Sequence, residues 1–332
     1  VRLTPPAKGW LPSWRALCVL VAIWVAALLG AFWLARSVDW SMVRSALAAA
    51  NPVWVVAAFA VNLSGLPIWM LAWRLLIPTR GRPGWGALFE AQSITLAAIQ
   101  TFSVLGGGAV AIYMLTRRAG MTFAGVASLL AFDQLLTGVV KLILIGGAVY
   151  VAPAPDVLRK AGLSLLVVVA AMLIVLVVMA RSEAAARRRA EGADGWGGRL
   201  LMLGAEIGGN LAAIREPGKF GLACLFYLLR RSMEGVAAIC LQRALGLQPS
   251  FDAALLVVAA LSVSTIIPGP PGNLGVYEAL VSLAYVACGV APETALALAL
   301  LQHACYLAAS VAPGYAMLAL GRPWKQAPLR AR

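Results

Sequence analysis

From Ala161 to Ala180 the chain runs AGLSLLVVVAAMLIVLVVMA, 20 residues without one charged side chain. At about 1.5 Å per residue a helix of that length is about 30 Å long, matching the hydrocarbon core of a bilayer. Comparable runs recur from end to end, at about 16–35, 53–77, 122–150, 219–243 and 292–319. Hydrophobic residues make up 62% of the chain and charged residues 12%, against roughly half and a quarter in an ordinary soluble domain. No stretch remains that could form a soluble catalytic domain. The chain therefore reads as an all-α polytopic membrane protein, one integral membrane domain over 1–332. A first half covers about 15–180, a polar linker 181–218 and a second half about 219–320.

The run from Leu17 to Leu34 is too long for a signal-peptide core and lacks a small-residue cleavage site, so it is expected to stay as a membrane helix. Residues 36–51 mix apolar and charged side chains, as a short interfacial helix does, and Leu200–Ile214 has the pattern of an amphipathic surface helix. The net charge of +14 comes from Lys and Arg gathered mostly between the apolar runs. That placement points to topology and to anionic lipid at cytoplasmic basic loops, and away from nucleic acid. If two interrupted segments leave by the face they entered, most cations fall on one side. The chain is then a multi-pass protein of the cell inner membrane with both termini cytoplasmic. The five cysteines are scattered without a CxxC pair, and the single histidine has no Cys or carboxylate neighbours at metal spacing, so neither a metal nor a cofactor is expected.

The two interrupted segments are about 87–115 and 253–285. The second contains STIIPGPPGNLGVYEAL (Ser264–Leu280), where Pro268, Pro270 and Pro271 remove backbone donors, Gly272 and Gly275 relax φ, and Glu278 brings a charge. Unwound backbone is tolerated at membrane depth only against protein or a water-filled cavity. The segments also align with each other at an offset of 168, which pairs Gly107 with Gly275 and Gln134 with Gln302. Three crossings lie between them, and an odd number inverts the second copy. The expectation is an inverted repeat with two broken re-entrant helical hairpins, a plan that places a site near the midplane.

IIPGPPGNLGVYEA resembles the proline-glycine-glycine-leucine-glycine, then arginine-glutamate, signature of the lysylphosphatidylglycerol synthase transmembrane region, also called the flippase-like domain family. VLGGGAVAIYMLTRRAG…FDQLL is similar to the first-half counterpart, and the resemblance spans roughly residues 15–320. It implies a polytopic lipid-handling domain, fused in the best-known members to a soluble aminoacyl-transferase domain. Because the chain stops at Arg332, that enzyme domain is expected to be missing. A subgroup is associated with hopanoid biosynthesis, an assignment for which the chain carries no proving motif. Four positions depart from the family pattern. Tyr277 stands where arginine is usual, Asn273 replaces a glycine, and Gln302 and His303 stand where a cation is common. Losing arginine removes a bidentate partner for phosphate, which argues against an anionic head group.

Candidate substrate-binding residues are Glu278, Asn273, Tyr277, Gly272, Gly275, Gln302, His303, Asp133, Gln134, Gly107 and Arg117, with no catalytic residue among them. An ionisable side chain such as Glu278 in a broken membrane segment usually faces a cavity or a partner. Asp133 and Lys141 lie two turns apart and too far round the helix to pair, so each needs a partner elsewhere. A buried structural contact and a substrate contact fit them equally. Glu234 can pair with Arg230 or Arg231, where a neutralised pair or a snorkelling cation is the simpler reading and a lipid phosphate contact the second. Arg117 and Arg118 are topology signals first and head-group contacts second. The expected function is a lipid translocase moving a polar-headed or isoprenoid lipid, without an ATPase motif and not an enzyme. An intramembrane transferase on a lipid or polyprenyl carrier and a scaffold of a lipid-synthesis complex are the alternatives. Expected partners are the lipid itself, further copies of the chain and lipid-biosynthesis enzymes.

Overall fold

The computed structural model describes residues 38–77, 82–152, 156–191, 195–210, 217–265 and 270–320. The first apolar run at 16–35, Cys18, Pro268 and the basic ends lie outside the described residues. The helices are α1 (Trp40–Ala48), α2 (Pro52–Leu76), α3 (Trp85–Tyr113), α4 (Phe123–Val151), α5 (Asp156–Glu191), α6 (Gly195–Asn210), α7 (Pro217–Ala244), α8 (Phe251–Ser264), α9 (Val276–Ala287) and α10 (Pro292–Ala319). Several start where a short polar side chain satisfies the free N–H groups of the first turn. Asp39 accepts from Ser41 and Met42, Asn51 from Val53 with Pro52 at the first helical position, Thr122 from Gly125, and Ser250 from Ala253.

Among the described residues, four helices are long and apolar enough to cross a membrane: α2, α4, the Arg159–Met179 part of α5, and α10. They match the spans read from the sequence, and α1 falls where the interfacial helix was expected. α7 is also 28 residues long but carries Arg230, Arg231 and Glu234 near its middle. α5 turns apolar side chains outward, Val167 being 69% exposed, as a lipid-facing helix does. It then continues to Glu191, so Arg187, Arg188 and Arg189 lie on a helix. Residues 181–191 are thus helical within the polar linker, because Ala- and Arg-rich sequence has high helix propensity, and α6, which overlaps the amphipathic helix expected from Leu200, packs back on α5. A Cβ on Gly208 of α6 would lie 2.6 Å from the Met179 carbonyl oxygen.

The second interrupted segment is two short helices, α8 and α9, packed on each other. Their 14 and 12 residues make helices of about 21 and 18 Å, too short to cross a bilayer core of about 30 Å. The first segment, α3, is helical but not straight. A Cβ on Gly107 would lie 2.9 Å from the Ile99 Cα, whereas residues eight apart in a straight helix are separated by about 12 Å. The chain therefore folds back between Ile99 and Gly107, and a five-residue π-helical turn, Met114–Arg118, follows.

The offset of 168 recurs in the helix boundaries. Added to α2 it gives 220–244, against Pro217–Ala244 for α7; added to α4 it gives 291–319, against Pro292–Ala319 for α10. The fold-back of α3 at 99–107 maps to 267–275, whose described part, Pro270–Gly275, leads into α9. α2 and α7, equivalent under this offset, make the most extensive helix pairing in the structure. α3 and α10 approach so closely at Gly314 that a Cβ there would lie 2.4 Å from the Ser93 carbonyl oxygen.

Candidate functional site

The chain reverses after α8 through Pro270–Gly275, which includes a short 3-10 turn at Pro271–Asn273. Gly272, Asn273 and Gly275 all have positive φ, of 68°, 59° and 84°. Asn is the side chain that best tolerates this region besides Gly, and Asn273 adds a contact glycine cannot make. Its Nδ2 donates to the Ser264 carbonyl oxygen at 2.9 Å, closing the C-terminus of α8. Gly272 packs against α10 and α3: a Cβ there would lie 3.5 Å from Leu307 and 3.7 Å from the Gln100 carbonyl oxygen. Gln100 begins the fold-back of α3, so the two reversals meet.

Glu278, in the first turn of α9, accepts the Gly275 N–H on Oε2 at 2.7 Å, the half of a capping box open to a glycine cap. Its Oε1 is 2.6 Å from His303 Nδ1, and His303 Nε2 is 2.8 Å from the Gly272 carbonyl oxygen. The Tyr277 ring stacks on the imidazole with centroids 3.9 Å apart and planes within 6°. One buried histidine of α10 thus holds both the turn and the first residues of α9. Among the described residues the Tyr277 hydroxyl is buried without a hydrogen-bond partner.

Tyr306, one turn beyond Gln302 and His303, accepts a hydrogen bond from Gln100 Nε2 at 3.3 Å. Each member of this pair lines a different space. Gln100 lines an open apolar groove of about 350 Å³, walled by Pro271, Gly272, Leu274, Leu307, Ala308 and Val311. Tyr306 lines a small, partly open cavity of about 20 Å³, room for a single water, between α2, α3, α7 and α10. Its polar lining is Asn62, Arg230, Glu234, Tyr306 and Ser310. Arg231 donates from one nitrogen to both oxygens of Glu234, at 2.9 and 2.8 Å, while the Arg230 guanidinium lies 4.3 Å over the Trp69 ring.

Asp133 lies apart from the hairpin turn. Its Oδ1 accepts from Trp69 Nε1 and Trp73 Nε1, each at 2.7 Å, and from the Tyr227 hydroxyl, so it ties α4 to α2 and α7. Gln134 is exposed and donates to Asp133 Oδ2 at 3.3 Å. Lys141 donates to Thr265 Oγ1 at 2.7 Å, at the end of α8. Gln302 is buried and accepts from the Tyr285 hydroxyl at 3.4 Å. Gly107 sits where α3 folds back. Arg117 is exposed on the π-helical turn, and its neighbour Arg118 pairs with Glu90 at 3.0 Å.

The structure thus brings together Gly272, Asn273, Gly275, Tyr277, Glu278 and His303, and places Asp133, Gln134 and Arg117 elsewhere. Gln100, Tyr306, Asn62 and the cavity-facing role of Arg230 escape the sequence reading of the site. A sequence signal for two of them exists: Asn62 and Arg230 differ by 168, as do Gly65 and Met233, and Leu66 and Glu234. All six line the cavity. No curated protein matches the chain significantly. Residues 17–314, spanning both reversals, the His303 contacts and the cavity, match the family model of the lysylphosphatidylglycerol synthase TM region, and the chain belongs to that family.

Proposed function

We propose that the protein is a lipid translocase of the inner membrane, moving a polar-headed lipid past the meeting point of two re-entrant hairpins. The observation that carries this reading is the juxtaposition at Gln100–Tyr306 of an apolar groove and a charged cavity. An amphiphile needs both surfaces at once, and a pair of neutral side chains joined by one 3.3 Å hydrogen bond is a weak partition between them. The recurrence of helix boundaries at the offset of 168, with three crossings between the copies, supports the inverted arrangement, and the short lengths of α8 and α9 support re-entrance. With cations biased to one face, both termini are cytoplasmic. In proteoliposomes, translocation of head-group-labelled lipid should exceed that of empty vesicles, and Glu278→Gln should lower it while leaving the protein inserted. Wild-type rates equal to empty vesicles with every lipid class of the native membrane would overturn the reading.

A transferase reading draws on the Glu278–His303 couple, which has the geometry of an acid and a base. Both imidazole nitrogens are committed, one to Gly272 and one to Glu278, which leaves no lone pair for a substrate. Mass spectrometry of the lipids in the same vesicles separates the two: a changed lipid mass supports chemistry, and an unchanged mass with altered sidedness supports translocation.

A further inference from the structure

We propose that Arg230, with Asn62 and Ser310, forms a binding site for the phosphate of a lipid head group where α2 crosses α7. The inference rests on the translocase reading and adds the chemistry of the cargo. Among the described residues the interior carries a cluster of charges around Lys141, within electrostatic reach of it: Arg230, Arg231, Asp133 and Glu234. Both oxygens of Glu234 are taken by Arg231. Asp133 is filled by the indole and phenol donors of Trp69, Trp73 and Tyr227 and by Gln134. Arg230 faces the cavity beside Glu234, with no hydrogen bond or ion pair among the described residues. Its guanidinium lies over the Trp69 face, whose N–H points at Asp133.

A guanidinium held among membrane helices calls for acceptors, and no protein acceptor bonds to Arg230 among the described residues. Asn62 Nδ2 is buried without a partner and is a second donor into the same space, and Ser310 adds a hydroxyl. A fork of N–H donors with an amide and a hydroxyl suits a tetrahedral, multiply accepting anion. The Glu234–Arg231 pair on the cavity wall disfavours a purely cationic ligand by already occupying the carboxylate. The loss of arginine at Tyr277 is thus offset from another helix. At about 20 Å³ the cavity as it stands holds no more than a water, so a phosphate must widen it, and parting Gln100 from Tyr306 would do so toward the apolar groove that takes the tails.

The test is equilibrium binding to the purified full chain, which reads occupancy independently of movement across a bilayer. Probes are dihexanoyl phosphatidic acid, dihexanoylglycerol as its phosphate-free counterpart, and inorganic phosphate. Phosphatidic acid should bind, with affinity falling about tenfold or more in Arg230→Gln, recovering only part of that loss in Arg230→Lys, which keeps the charge but not the fork, and staying unchanged in Arg243→Gln, a helix-end control. Asn62→Leu, which alters no charge, should weaken binding roughly threefold and serves where Arg230→Gln does not fold. Equal binding of dihexanoylglycerol, or phosphatidic acid binding indifferent to both Arg230→Gln and Asn62→Leu, would overturn the site. Inorganic phosphate binding as tightly as phosphatidic acid would overturn the lipid assignment. Binding as predicted in a protein that moves no lipid would retire the translocase reading alone.

Discussion

His303 reaches Glu278 and Gly272 with the two nitrogens of one ring, at 2.6 and 2.8 Å. The Gly272 carbonyl can only accept, so Nε2 carries a hydrogen. One further proton then lies between Nδ1 and Oε1, whether written as imidazolium with carboxylate or as imidazole with carboxylic acid. His303→Leu removes both contacts, so hydrogen exchange over residues 270–278 should be faster than in the wild type. In Glu278→Gln the amide can still donate to Nδ1, and exchange should change less. Exchange in His303→Leu equal to the wild type would show that the imidazole does not hold the turn.

Asp133→Leu removes the acceptor shared by Trp69, Trp73 and Tyr227. Three buried donors lose their partner at once, at about 1–3 kcal/mol each, so thermal unfolding in detergent should fall steeply. Asp133→Asn, which keeps an oxygen in place, should fall less. Trp69→Phe removes one donor only and should cost about 1 kcal/mol beyond its packing loss. Equal melting temperatures for Asp133→Leu and wild type would show that the cage contributes nothing to helix association.

Gly107 and Gly314 mark close backbone approaches. A Cβ on Gly107 would meet the Ile99 side chain at 2.1 Å and its Cα at 2.9 Å, and one on Gly314 would meet the Ser93 carbonyl oxygen at 2.4 Å. Gly107→Val and Gly314→Val should each reduce the yield of monodisperse protein severely, because backbone cannot rotate away as a side chain can. Gly146→Val, where nothing lies within 4 Å, is the matched control. Normal size-exclusion profiles for all three variants would count against the fold-back of α3.

At the turn, Gly275→Ala forces a Cβ onto a residue with φ of 84° and should destabilise by about 1–2 kcal/mol. Asn273→Gly relaxes φ but loses the bond to the Ser264 carbonyl oxygen, so it should cost less than Asn273→Ala, which loses both. The ordering of the three melting temperatures is the check. Asn273→Ala at or above Asn273→Gly would show that neither the conformation nor the cap matters.

The apolar spans were legible because a bilayer imposes one length on every crossing, and Pro52–Leu76 and Pro292–Ala319 coincide with their expected runs nearly to the residue. The hairpin at Pro270–Gly275 was legible because proline and glycine act locally. Less visible was the partnership of Glu278 with His303, 25 positions apart and on different helices. Nothing in the spacing told Arg230 from Arg231. Both lie within one turn of Glu234, and only the placement of Trp69 on α2 turns Arg230 toward the cavity and leaves Arg231 to the carboxylate. Asp133 shows the same limit, since its donors come from residues 60 to 94 positions away.

Asn62 and Arg230 are 168 positions apart, yet one is neutral and the other charged, and the same holds for Leu66 and Glu234. The cavity they line is therefore lopsided: its α7 wall carries a guanidinium and a carboxylate, while its α2 wall offers one amide. The field across that small space comes from a single helix, and a water held there is oriented by α7 alone.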